Sequence, residues 1–173
     1  MMHFAASAPS TRTASGAAAP RPTVRIPRPG PGRTTIPSLD RASLAAAARA
    51  LFIGVQSGLT LRDTGMLRNR VTPEMHAALQ ARCDQLRAAK QSNRIEKIDI
   101  ANAEVEDAWE ERDRVFATVR LCGTLFDYTV DDATGKVLDG SKTAAQRFEE
   151  RWTFVRAADA RAWRLAGIDG SVS

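Results

Sequence analysis

Two carboxylates fall where a strand pattern would bury them. Asp107 lies between Val105 and Trp109, and Glu150 between Phe148 and Trp152, each in step with apolar residues two positions away. A carboxylate on an apolar strand face loses hydration, its pKa rises, and it becomes a candidate general base. Tyr128, the only tyrosine, is a candidate donor to developing charge. That set suits acid–base chemistry on a small molecule. The competing expectation is that Glu150 pairs with Arg120 or Arg156 across a sheet and that Asp107 reaches a rim. A carboxylate held by arginine stays ionised and makes a poor base, so the competing expectation is preferred. Asp63 reads as a cap or an ion-pair partner between helices.

Other chemistry lacks parts. His3 and His76 are the only histidines, and Cys83 and Cys122 stand alone with no CxxC or neighbouring histidine. Triads, zinc sites and disulfide frameworks are therefore not expected, and neither a metal nor a cofactor is called for.

Charge is distributed unevenly. Arg12, Arg21, Arg25, Arg28 and Arg33 are the only charged residues before Asp40, and the remainder carries twenty basic and twenty acidic side chains. The net charge of +5 thus belongs to the first 39 residues. A neutral fold argues against nucleic acid as a partner, because phosphate binding needs cations clustered on the fold. No uninterrupted run of about 18 apolar residues occurs, so no bilayer-spanning helix is expected, and no apolar core of a secretory signal is present.

The elements that must position these residues follow from pattern. Residues 1–37 hold seven of the eight prolines among Ala, Ser, Thr and Gly, and are expected to be a disordered arm or a targeting segment. The fold is expected over residues 38–170. Ser38 reads as an N-cap with Asp40 in the first turn, followed by an apolar stripe of Leu44, Ala48, Leu51, Phe52, Val55 and Leu59. A short helical piece is expected over 61–70. Thr72-Pro73-Glu74 starts another helix, with Met75, Leu79, Cys83 and Leu86 buried, ending near Ser92-Asn93. Beyond Asn93 the period becomes two.

Ile98 and Ile100 have one parity, and Ala101, Ala103, Val105 and Trp109 the other, the mark of a β-bulge. The next strand is apolar at Val115, Ala117, Val119 and Leu121, then at Phe126, Tyr128 and Val130, with Gly123 at the change. Asp131 to Lys136 makes a hairpin turn around Gly135. Later strands carry Phe148, Trp152 and Phe154, and then Trp163 and Leu165. Helices first and bent antiparallel strands after describe an α+β domain.

The stretches Glu150-Arg151-Trp152-Thr153-Phe154-Val155-Arg156 and Trp163-Arg164-Leu165-Ala166-Gly167-Ile168 resemble the closing signature of the Tim44-like domain family. Asp63, Leu67-Arg68 and Thr72-Pro73-Glu74 resemble its helix-linking stretch, and Asp131 to Val137 its acidic strand turn. The resemblance spans roughly residues 45–168 and implies a nuclear-transport-factor-two-like cone: helices on a curved four-stranded antiparallel sheet around an apolar pocket. In the mitochondrial import subunit of this family the domain associates with cardiolipin-containing membrane, while a separate N-terminal region recruits a chaperone. The 37-residue arm lacks that charged helical region, so motor recruitment is not carried over.

The function expected is therefore a non-catalytic domain binding lipid or a membrane-associated protein, with a role in protein translocation or membrane assembly. The alternative, since cone folds of the resembled type also host isomerases and hydrolases, is a small-molecule enzyme using a pocket carboxylate. Val105, Trp109, Val119, Phe126, Phe148, Trp152, Phe154 and Trp163 are the expected pocket lining, with Trp109 at the lip beside the turn Glu110 to Asp113. Arg41, Arg49, Leu51 and Phe52 are the expected membrane contact, aided by the arm's arginines, if the first helix undocks. The expected partners are anionic phospholipid or a membrane-associated protein, and a homo-oligomer is compatible with the sequence. The setting implied is the cytoplasm or the bacterial inner-membrane surface, with the mitochondrial matrix as alternative.

Overall fold

The computed structural model describes residues 22–24, 26, 36 and 39–172. Most of the segment expected to be disordered lies outside these residues, as does Ser38. The first helix, α1 (Arg41–Leu61), is capped by Asp40 and not by Ser38. The Asp40 carboxylate accepts from the Ser43 amide at 3.0 Å and from its hydroxyl at 2.6 Å. Those bonds hold its pKa below the usual carboxylate range. α1 ends at Arg62 in the left-handed conformation, so the helical piece expected over 61–70 shrinks to a 3₁₀ turn, Gly65–Leu67. Asp63 lies just before that turn and accepts from the Gly65 amide at 2.9 Å, while the N-cap position itself is Thr64.

The second helix, α2 (Pro73–Ala88), starts as expected, with Thr72 Oγ1 accepting from the Met75 amide and Pro73 in the first turn. It stops earlier than expected. Lys90 takes a positive φ of 54°, and Ser92 and Asn93 already belong to the first strand.

Five antiparallel strands follow: β1 (Gln91–Glu111), β2 (Arg114–Asp131), β3 (Val137–Gly140), β4 (Gln146–Ala157) and β5 (Arg164–Val172). Their order is β1-β2-β4-β5, and the short β3, which the sequence pattern does not reveal, pairs with β2 beyond the end of β4. The register of β1 against β2 slips between Glu96 and Asp99, Ile100 and Asn102, and Val105 and Asp107. The middle slip is the bulge foreseen after Ile100.

Gly123 lies opposite Ile100, where an added Cβ would stand 2.9 Å from the Asp99 carbonyl carbon and 3.0 Å from the Ile100 Cα. The glycine therefore accommodates the bend in β1. β2 itself stays in unbroken register with β4 from Arg114 to Leu125. Its core parity persists to the buried Leu125, and Phe126 falls on the other face.

One face of the sheet carries the core. Leu44, Ala48, Leu51, Phe52, Val55 and Leu59 of α1 and Met75, Leu79 and Cys83 of α2 pack against Val105, Val119, Leu121, Phe148, Trp152 and Phe154. This is the α+β cone architecture that the sequence implied. The two outer strands are covered. Along β1, Arg41 donates to the Val105 carbonyl at 2.9 Å, Arg49 to Ile100 at 2.6 Å and Arg62 to Gln91 at 3.0 Å. Along β5, Leu165 exchanges backbone hydrogen bonds with Arg70 and Thr72, and Val24 bridges Ile168 in the antiparallel sense. An edge covered in this way is open to a foreign strand only if its cover is displaced.

Candidate functional site

The expected pocket lining divides three ways. Val105, Val119, Phe148, Trp152 and Phe154 form the solid core under the helices. Phe52 stacks on Phe148 with ring centroids 4.8 Å apart and tilts against Trp152 at 5.3 Å. These contacts bring the five residues together as packing around α1, in place of an open lining. Phe126 sits on the opposite sheet face, half-buried, with the Lys97 ammonium 4.8 Å above its ring. Trp109 is not at a lip: it is buried and stacked on Phe116 at 5.2 Å, with no hydrogen-bond partner for its indole nitrogen among the described residues.

Trp163 does line a groove. The β4–β5 connection and the start of α1 enclose about 910 Å³ between Leu39, Leu44, Ala47, Arg156, Arg161 and Trp163. The Arg156 guanidinium lies 5.0 Å over the Trp163 ring and donates to the carbonyls of Ala157, Ala158 and Ala160. It therefore shapes the loop, whereas Arg161 is exposed. A smaller groove of about 490 Å³ borders Phe148, Cys122 and Arg147.

The expected acid–base set is not assembled. The register slip after Val105 pairs Asp107 with Thr118 and Trp109 with Phe116, while Ala108 pairs with the core residue Ala117. Asp107 therefore lies on the sheet face away from the helices. Tyr128 is ten residues further along β2 than Thr118, about 30 Å away at strand rise. Its hydroxyl donates to Glu96 at 2.8 Å. Burial, together with that bond, pushes the phenol pKa up.

Glu150 does face the helices, as expected, and is buried there accepting from the Trp152 indole at 2.7 Å. Arg120, foreseen as its partner, is on the other face, joined to Glu104, Glu106 and Glu149.

Two of the four expected membrane contacts, Leu51 and Phe52, are core residues, and Arg41 and Arg49 are engaged with β1 carbonyls. What α1 exposes is different. Ala42, Ala46, Ala50, Ile53, Ser57 and Leu61 recur at steps of three or four and are all exposed. α1 has no acidic residue, and both of its arginines are turned to the sheet. From Ala42 to Leu61 its solvent face is consequently uncharged. Ile53, Leu61 and, on the following turn, Met66 are 50%, 69% and 70% exposed, with Arg68 and Arg70 exposed beside them.

Apolar periodicity finds the buried stripe of such a helix. The complementary signal, an outer stripe without a single charge from Ala42 to Leu61, is equally present in the sequence. α1 is also the one helix among the described residues long and apolar enough to cross a membrane by length and composition, contrary to expectation. Here 44% of that window is buried against the sheet.

Sequence reasoning also passed over a buried polar cluster. Asn93 donates to Asp127 at 2.7 Å, and Thr129 lies opposite Asn93. Asp132 at the same end accepts from Ser92 and then from Arg62, which hold its pKa down and fasten the end of α1 to β1.

Comparison with known proteins agrees with this architecture. A family model described as the Tim44-like domain matches residues 33–170. The crystal structure of the intermembrane space region of the chloroplast protein ARC6 superposes with a TM-score of 0.50 at 12% identity. It covers 79% of this chain and all of that one, a likeness of fold. No curated protein matches the sequence.

Proposed function

Since the chain belongs to the Tim44-like domain family, we propose that it is a membrane-associating binding domain without catalytic activity, acting in protein translocation or membrane assembly. The observation that carries this reading is the uncharged outer face of α1. A helix on a soluble domain ordinarily directs charged side chains to water. Here Ile53, Leu61 and Met66 are offered instead, next to Arg68 and Arg70. Apolar side chains bordered by arginines suit the boundary between the acyl region and anionic headgroups. The groove beside Trp163 opens at the start of the same helix, with Arg161 at its margin, and supplies a second place for a lipid headgroup or a partner segment.

In this reading α1 stays docked. Its inner stripe holds the cone together while its outer stripe meets the membrane, so the binding face is Ile53, Leu61 and Met66 and not Leu51 and Phe52. Liposome flotation tests it. The chain should float with vesicles containing cardiolipin and remain behind with neutral phosphatidylcholine. Leu61→Asp combined with Met66→Asp should abolish flotation while leaving the circular dichroism melt unchanged. A wild-type chain that ignores anionic vesicles would overturn the proposal.

A further inference from the structure

The outer edge of β5 has two different coverings. At Leu165 the edge is occupied by Arg70 and Thr72, through the link that leads into α2. At Gly167 and Ile168 it is met by a remote piece of chain, where Val24 forms an antiparallel bridge to Ile168 and packs half-buried against the core. Gly167 makes this approach feasible. A Cβ there would overlap the Val24 carbonyl oxygen and stand 2.9 Å from Ile26 Cγ1. A glycine weakens a strand interior, and its usual justification is close passage of another backbone.

The sequence around Val24 limits how far strand pairing can extend. In sequence it is bounded by Pro20 and Pro22 on one side and Pro27 and Pro29 on the other. Proline has no amide hydrogen to give to a ladder, so pairing is confined to the few residues between them. Val24 and Ile26, both β-branched and of the same parity, are the anchors. The segment also carries arginines at 21, 25 and 28, while Asp169 is exposed next to Ile168.

We propose that the β5 edge at Gly167–Ile168 is an acceptor for an extended peptide strand of a partner protein, and that the chain's own Val24 and Ile26 hold the place in cis until displaced. The partner segment is recognised by its chemistry. It is short, basic and extended, with β-branched residues at alternate positions, and it joins the sheet by strand addition. Its side chains enter where Val24 and Ile26 lie, and Gly167 leaves room for its backbone. The site is separate from the outer face of α1, so both can be occupied together.

A fluorescein-labelled peptide copying residues 20–29 serves as probe, with the full chain as receptor. Val24→Asp in the full chain releases the cis segment, and this variant should bind the peptide about tenfold more tightly than wild type. Hydrogen exchange at Ile168 and Asp169 should quicken in Val24→Asp and slow again when peptide is added. A peptide carrying Asp in place of its valine should fail in both assays.

Gly167→Val added to Val24→Asp should remove binding, and the exchange measurement decides the matter even where that double variant folds poorly. Equal binding by wild type and Val24→Asp, or exchange indifferent to peptide, overturns the proposal. Light scattering that finds wild-type dimers dissociated by Val24→Asp also overturns it, in favour of strand exchange between two copies.

Discussion

At the scale of single residues, a side chain's role here depends on which face its strand register assigns it. Asp107 shows this best. Counting by twos from Val105 puts it in the cone, but Glu106 is taken up in a bulge and Asp107 emerges opposite Thr118 on the far face. The neighbouring bulge after Ile100 was legible, because apolar residues on both sides record the change of parity. The one at Glu106 was not, because Glu104, Glu106 and Asp107 are all polar and no apolar parity marks the slip. Phe126 failed for the converse reason: Gly123 looked like a break in β2, although it relieves β1.

Core residues are more predictable. Phe52→Ala removes the ring stacked on Phe148 and should cost about 4 kcal/mol, read from the denaturant midpoint. The cap of α1 gives a pH signature. The folded pKa of Asp40 is depressed, so its contribution is complete above the ordinary value of about 3.9 and disappears as pH falls through the lower folded value. Asp40→Ala should therefore melt below wild type at neutral pH, and the two melting temperatures should converge in acid.

Among the elements, β1 depends most on its neighbours. It is an edge strand broken by three register slips, and Arg41, Arg49 and Arg62 supply donors to its outward carbonyls. Arg49→Ala should cost about 2 kcal/mol, the scale of a hydrogen bond from a charged donor, and should speed amide exchange in β1 around Ile100. Losing the positive charge alone does not explain such a result. Arg49→Lys should recover only part of the stability, since the ammonium lacks the planar fork that reaches the carbonyl.

The start of α2 was legible because Thr72, Pro73 and Glu74 act locally. The duty of the α1 arginines was not, because it lies across the fold, between a helix and a strand far apart in sequence. An arginine beside an apolar stripe reads as surface charge until its acceptor is known.

In the molecule as a whole, the ion pairs and the proposed membrane-binding face lie on opposite sides of the sheet. On the face away from the helices, Arg120 and Arg151 are shared among Glu104, Glu106 and Glu149, a mesh of partly exposed pairs. Glu106 leads the interactions that raise the Arg151 pKa, so that guanidinium stays charged. Exposed pairs of this kind contribute little individually and are screened by salt. Raising sodium chloride from about 0.05 to 0.5 M should shift the melting temperature by only a few degrees, whereas flotation with anionic vesicles should decline markedly. A parallel loss of both would place the lipid-directed cations within the fold's own ion pairs.

The link between Leu165 and residues 70–72 carries a consequence for how the chain is made. The β1–β2 hairpin can zip from its own turn, since its partners are adjacent in sequence and loop closure is cheap. The start of α2 is in the opposite position: it acquires its sheet partner only when the last strand has left the ribosome. Until then β4 presents an unpaired edge, and nascent chains held at that stage are the ones that will pair with each other.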